Sequence, residues 1–150
     1  MAEKFTAQRQ CRSPRPPFVV KETGGISPPH TPMRYLLLIY TNEAQDLAAS
    51  PEVQGKVIGE YMELEKEMAK SKVKLAGEAL QPISTATTVR VRNGKTQTID
   101  GPFAETKEQL GGFYLIEAKN LDDAIKWAVK MPSARDGSIE VRPIMEFPAQ

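Results

Sequence analysis

The run Tyr35-Leu36-Leu37-Leu38-Ile39-Tyr40 constrains the fold more than any other stretch of the chain. A strand with one wet face alternates apolar and polar residues, whereas an unbroken apolar run suits a strand covered on both faces and placed centrally in its sheet. It is also far shorter than the roughly 20 apolar residues that cross a bilayer, so no membrane span is expected. The fold must therefore cover both sides of one sheet.

The following segments indicate what the cover is. A polar turn is expected around Asn42 to Asp46, and then Ser50-Pro51-Glu52 supplies an N-cap, a first-turn proline and an acid at the positive end of a helix. Val53, Val57, Ile58, Tyr61, Leu64 and Met68 recur at spacings of three and four, one apolar stripe that packs on a sheet. Lys70, Lys72 and Lys74 suit the negative end of that helix as solvated charges rather than a binding patch. A short strand is expected within Val73 to Leu80, where Gly77 permits close backbone approach and Pro82 stops it.

Thr87 to Arg92 and Lys95 to Asp100 flank Asn93-Gly94, a pair suited to a type I′ hairpin because both positions tolerate positive φ. Val89, Val91, Gln97 and Ile99 are expected on one face of this ribbon, with Arg90, Arg92 and Lys95 on the other. Gly111 to Ala118 is a further strand. Asn120 caps a second helix whose buried stripe is Leu121, Ala124, Ile125, Ala128 and Met131, and Ser138 to Phe147 is a last strand that Pro143 places at an edge or bulge. With the hairpin set aside as an insertion, the order is βαββαβ, an antiparallel α+β sheet with two helices on one face. The other face would be an apolar patch larger than monomers usually expose, so a two-fold homodimer is predicted, with a cleft near the loops.

Composition narrows the chemistry. The only cysteine, Cys11, and the only histidine, His30, lie in a stretch that also holds six of the twelve prolines. Residues 1–32 are expected to be a disordered, Pro-rich extension and residues 33–150 one domain, with Met33 its natural start. Without Cys or His in the domain, Cys/His and Ser/His catalysis, thiolate or imidazole metal sites and disulfides are excluded there; an acid or base must be Asp, Glu, Lys or Tyr. From Met33 onward 15 Lys/Arg face 17 Asp/Glu, which disfavours nucleic-acid binding. A cytoplasmic protein without cofactor is expected.

Gly77-Glu78-Ala79-Leu80, Asp100-Gly101-Pro102-Phe103-Ala104-Glu105-Thr106-Lys107-Glu108 and Gly111-Gly112-Phe113-Tyr114 occur in this order, continued by Ala124-Ile125-Lys126-Trp127-Ala128 and Glu140-Val141-Arg142-Pro143. From about Met33 to Phe147 the chain resembles the DGPF branch of the YCII-related family. The resemblance implies a ferredoxin-like α+β fold, pairing as a dimeric α/β barrel, and an association with sigma-factor signalling. It also implies a His/Asp site with the histidine on the first helix. Around Glu60 and Tyr61 this chain has no histidine, so that dyad does not carry over.

The Asp100–Glu108 run is the expected site, since loops on a rigid scaffold are where function concentrates. Asp100 either accepts backbone N–H bonds in an Asx-type turn or, partly buried, moves a proton, and Glu105 is the second candidate for that step. Gly101, Pro102, Phe103, Lys107 and Glu108 complete the loop. Phe103 is expected to pin the loop to the core, Lys107 to bridge Glu105 or Glu108 or to polarise a ligand, and Asp100, Glu105 and Glu108 together suit a hard cation only weakly. Arg90, Arg92 and Arg142 are candidates for holding an anionic substrate, and Glu78 for facing the same cleft. Trp127 reads as core or dimer contact, and Tyr61 and Tyr114 as packing residues able to donate protons. Two functions follow as expectations: a small cofactor-independent enzyme with carboxylate acid–base chemistry on a small organic molecule in a dimer cleft, or a non-catalytic binding or regulatory module.

Overall fold

The structure, a computed structural model, describes residues 32–147; the extension expected over residues 1–32 lies, apart from Pro32, outside them. Strand β1 (Met33–Thr41) is followed by helices α1 (Glu43–Ala48) and α2 (Pro51–Lys70), strands β2 (Lys74–Ala79), β3 (Thr87–Arg92), β4 (Lys95–Asp100) and β5 (Gln109–Ala118), helix α3 (Leu121–Val129) and strand β6 (Ser138–Pro143). The four-stranded sheet has the order β2-β5-β1-β6 and is antiparallel throughout. With β3 and β4 set aside, this is the ferredoxin-like βαββαβ arrangement.

The apolar run forms a central strand, as its composition predicts, paired with β5 on one side and β6 on the other. Its alternate residues Tyr35, Leu37 and Ile39 are buried with Tyr114 and Ile116 of β5, with Leu64 and Met68 of α2, and with Ala124, Ala128 and Met131. On the other face Leu36 lies opposite Leu115, and Leu38 opposite Phe113, all four half-buried. Within one chain only the helix-bearing face of the sheet is closed.

Local signals place most helix ends. The Ser50 hydroxyl accepts from the Val53 amide (3.4 Å), and the Asn120 side chain accepts from the Asp123 amide (2.9 Å). The expected turn at Asn42–Asp46 is instead the start of α1: the Asn42 side chain accepts from the Gln45 amide (3.2 Å) and caps a helix of six residues. The expected stripe of α2 is seated only in its C-terminal half. Leu64 and Met68 are buried, whereas Val53 and Ile58 stand 53% and 61% exposed, because the N-terminal half of the helix is held off the sheet. In α3 the small Ala124 and Ala128 are buried, and Leu121 and Ile125, expected beside them, are exposed.

Strands β3 and β4 form their own two-stranded sheet. Asn93 (φ 51°) and Gly94 (φ 73°) take the positive φ values that a type I′ turn requires. The register pairs Val89 with Thr98, Val91 with Thr96 and Thr88 with Ile99. Because strand neighbours alternate faces, Ile99 and Gln97 share the face of Thr88 and Arg90 rather than that of Val89 and Val91, which corrects the expected grouping. Val89 and Val91 are 59% and 60% exposed.

Candidate functional site

The loop from Asp100 to Glu108 is shaped by its backbone. Gly101, at φ +95°, donates its amide to the Ala86 carbonyl (2.7 Å), and its own carbonyl accepts from the Thr88 hydroxyl (2.8 Å). A side chain at 101 would be strained in that left-handed region, which accounts for glycine before Pro102. Further on, the Thr106 hydroxyl donates to the Glu108 carbonyl, and the Gln109 side-chain amide donates to the Thr106 carbonyl. The Gln109 side-chain oxygen accepts from the Glu43 amide (3.1 Å), and the Glu43 carboxylate accepts from the Ile83 amide (2.9 Å), so α1 holds both ends of the hairpin excursion.

The candidate residues do not converge. Asp100 and Glu105 are exposed, and neither carboxylate bonds to a described residue; the turn is closed by Gly101, not by an Asx-type bond from Asp100. Phe103 stands 78% exposed and does not pin the loop to its own core; the loop is tied instead to Ala86 and Thr88 by the bonds at Gly101. Among the described residues Lys107 pairs with neither Glu105 nor Glu108, and no three acidic, His or Cys side chains gather closely enough to hold a metal ion. Arg90 donates to the Phe103 carbonyl (3.4 Å), and Arg92 to the neighbouring Val91 carbonyl (3.4 Å). Arg142 lies 3.5 Å from Glu140 on the open face of β6. Of all these residues only Glu78 touches a cavity described here, and it does so by its main chain: lying opposite Phe113, its side chain is on the open face of the sheet and not in the cleft expected for it.

That cavity, of about 420 Å³, lies under the raised half of α2. Ile39 of β1 and Ile58 and Met62 of α2 give it apolar walls. Gly77, Gly111 and Gly112 leave room on the sheet side; at Gly77 a Cβ would fall 2.4 Å from Cδ1 of Tyr114, so the tyrosine ring lies directly over this glycine. Across the cleft, the Tyr61 hydroxyl donates to the Ser133 hydroxyl oxygen (2.8 Å). The Tyr114 hydroxyl donates to Oε1 of Glu65 (3.0 Å), and Nζ of Lys74 reaches the same oxygen (2.7 Å) while lying 5.1 Å from the Tyr114 ring centre.

Charge follows from this geometry. Lys74 and the Tyr114 hydroxyl hold the Glu65 carboxyl below its ordinary range. Burial first, and then the bond to the Glu65 carboxylate, push the Tyr114 phenol well above its usual value. At neutral pH the proton stays on Tyr114 and the charge on Glu65, so the pair works as a fixed donor and a fixed anion rather than as a proton relay. The charged side chains lining the cleft are Asp46 and Glu65, both acidic; Glu78 meets it through its main chain, since it lies opposite Phe113 with its side chain on the open face of the sheet.

A second cavity of about 510 Å³ adjoins the first and shares Thr41, Asp46, Ile58 and Ser133 with it. Sequence reasoning missed Asp46, Glu65 and Ser133, because each looks like a solvated polar residue in its own segment. Gly77 next to Glu78 was the available signal, since it marks close approach on a strand; what approaches is the Tyr114 ring.

No helix of the described residues is long and apolar enough to cross a membrane. A family model for the YCII-related domain matches residues 33–148. The chain is also 38% identical, over 114 residues, to an uncharacterized protein, R00369, of Rhizobium meliloti (strain 1021), an alignment covering 75% of this chain and 92% of that relative. The ferredoxin-like sheet and these two matches place the chain in one group: it belongs to the YCII-related family.

Proposed function

We propose that this protein is a binding module for a small organic molecule, apolar over most of its surface and carrying a hydrogen-bond donor or a positive charge, held in the cleft beneath α2. One observation carries the reading: a cavity of about 420 Å³ with apolar walls in which the two charged side chains of the lining, Asp46 and Glu65, are acids. Its size lies within the range of small-molecule sites, and a few polar groups on apolar walls are how such sites fix orientation. Lys74 is committed to Glu65, and Arg90, Arg92 and Arg142 lie on other surfaces, so the cleft favours cations over anions.

We infer that the working unit is a homodimer. The open sheet face presents Leu36, Leu38, Phe113 and Leu115, and a second copy placed on it by two-fold symmetry buries both patches. A second reading, acid–base chemistry at Asp100 and Glu105 in a dimer cleft, is favoured by the exposed Phe103 between these unpaired carboxylates, an apolar surface that a second copy would shield.

The test is a thermal-shift comparison of organic amines with carboxylates of matched size, on the natural chain and on Ile58→Arg. Ile58 lines both cavities and is largely exposed, so the substitution fills the cleft without emptying the core. Amines should raise Tm, because ligand that binds only the folded state stabilises it by mass action. Carboxylates should not, and Ile58→Arg should lose the response. Equal stabilisation by carboxylates, or an undiminished response in Ile58→Arg, refutes the assignment.

A further inference from the structure

Resting on the homodimer inferred above, we propose that the β3–β4 ribbon is an arm that clasps the second copy, laying Arg90 and Arg92 against the partner's Glu78 on the open sheet face. The ribbon has little to hold it within its own chain. It forms a separate two-stranded sheet, each strand packs extensively only on the other, and apart from Thr88 every one of its strand residues is exposed. A hairpin of two strands is at best marginally stable alone in water, and a further packing surface is what holds one. Strands of six residues span about 20 Å, so the ribbon reaches well beyond the Gly101 bond at its base.

One face of the ribbon has the makeup of a contact surface. Ile99, opposite Thr88, shares the face of Arg90 and Arg92, and Arg90 donates to the Phe103 carbonyl (3.4 Å), which places residue 103 beside them. Ile99 and Phe103 are 47% and 78% exposed. Aromatic groups and arginines are what interface anchors are made of. Of the five arginines described, Arg34, Arg135 and Arg142 each face a carboxylate of their own chain, whereas Arg90 and Arg92 face none. The open sheet face has the complementary deficit. Glu78 lies opposite Phe113, and Phe113 opposite Leu38, so this acid borders the apolar patch, and among the described residues it has no ion-pair partner. Covering the patch with a second copy takes the Glu78 carboxylate out of water, which is costly unless the cover brings a cation. Guanidinium groups bind carboxylates bidentately, and their methylene stems cover apolar surface at the same time. Two-fold symmetry makes the exchange reciprocal, each copy giving one arm and receiving one.

The experiment is analytical sedimentation of the full chain with charges reversed, Glu78→Arg in one variant and Arg90→Glu together with Arg92→Glu in another. All three positions are exposed within one chain, so both variants should fold as the natural chain does. Each variant alone should dimerise at least about tenfold more weakly than the natural chain, because like charges then face each other twice per dimer. An equimolar mixture should recover the natural dimer strength, since a heterodimer regains opposite charges at both contacts. Variants that dimerise as the natural chain does, or a mixture no stronger than its components, overturn the arm and leave the homodimer standing. A natural chain that sediments as a monomer at every concentration overturns the homodimer and the arm with it.

Discussion

Gly77→Ala tests how the floor of the cleft is built. A Cβ at 77 would lie 2.4 Å from Cδ1 and 2.9 Å from Cε1 of Tyr114, and 3.1 Å from the Phe113 carbonyl oxygen. To reach the 3.4 Å of ordinary contact the ring must retreat by about 1 Å, which pulls its hydroxyl off Glu65. Overpacking of this kind costs about 1–3 kcal/mol. Removing a glycine restores about 0.4–1 kcal/mol by restricting the unfolded chain. The net expectation runs from near zero to a loss of about 2.5 kcal/mol in urea unfolding at fixed protein concentration, with an unchanged m-value. A double-mutant cycle with Tyr114→Val isolates the cause, because valine removes both ring atoms and leaves only the Phe113 carbonyl close to the new methyl. In that background the overpacking cost is gone while the gain from the unfolded chain remains, so Gly77→Ala should be neutral to slightly stabilising, giving a coupling of about 1–3 kcal/mol. The same cost in both backgrounds would show that the glycine serves its own backbone and not the Tyr114 ring.

Tyr114→Phe should lower stability by about 1–2 kcal/mol at pH 7, less than loss of a bond to an unpaired carboxylate because Lys74 still satisfies Glu65. Its pH dependence has a fixed sign. The folded-state pKa of Tyr114 is raised, so its contribution is complete below the unfolded value of about 10 and is lost as pH rises towards the folded one. Above pH 10 the natural chain should therefore lose about 1.4 kcal/mol per pH unit more than Tyr114→Phe, and parallel alkaline profiles would contradict it. On the open face, the natural chain should run as a dimer by light scattering and Leu115→Lys as a folded monomer; a dimer unaffected by this charge places the interface elsewhere.

The fold was legible wherever a single residue type meets a local requirement. Asn93-Gly94 specified its turn through φ, Ser50 and Asn120 specified their helix starts through capping, and Pro143 ends an edge strand because it lacks a donor. Helix α1 was not legible, because six residues are too few to show a period and Asn42 serves a turn and a cap equally well. The cleft was hidden for a related reason. Val53 and Ile58 are in phase with Leu64 and Met68, and only what other segments pack against each end of α2 decides which half of the stripe is buried and which lines a cavity. Strand register is equally non-local: only the pairing of Thr88 with Ile99 fixes which face of the hairpin Ile99 takes. Asp100 and Phe103 stand out as chemistry-bearing residues, whereas the loop is held through the main chain of Gly101, whose amide meets the Ala86 carbonyl and whose carbonyl meets the Thr88 hydroxyl.

Side-chain bonds of Glu43 and Gln109 make the loop and the cleft parts of one mechanical unit, and Gln109 is where the two meet. Its side chain accepts from the Glu43 amide and donates to the Thr106 carbonyl, while the Glu43 carboxylate takes the Ile83 amide. The first turn of α1 thus grips the chain just before the hairpin and just after the Asp100–Glu108 loop, and the same short helix presents Asp46 to both cavities. Gln109→Leu keeps the bulk and removes both bonds, a loss of about 1–2 kcal/mol. Because the affected groups are partly exposed and lie at one end of the sheet, the cost should appear as local opening. Amide exchange should quicken by about tenfold or more at Glu43, Asp46 and Ile83, and stay unchanged at Leu37 and Ile116 in the core. Quickening confined to the Asp100–Glu108 loop would mean that α1 is held independently of it, and that Asp46 is positioned by its own helix cap at Asn42 alone.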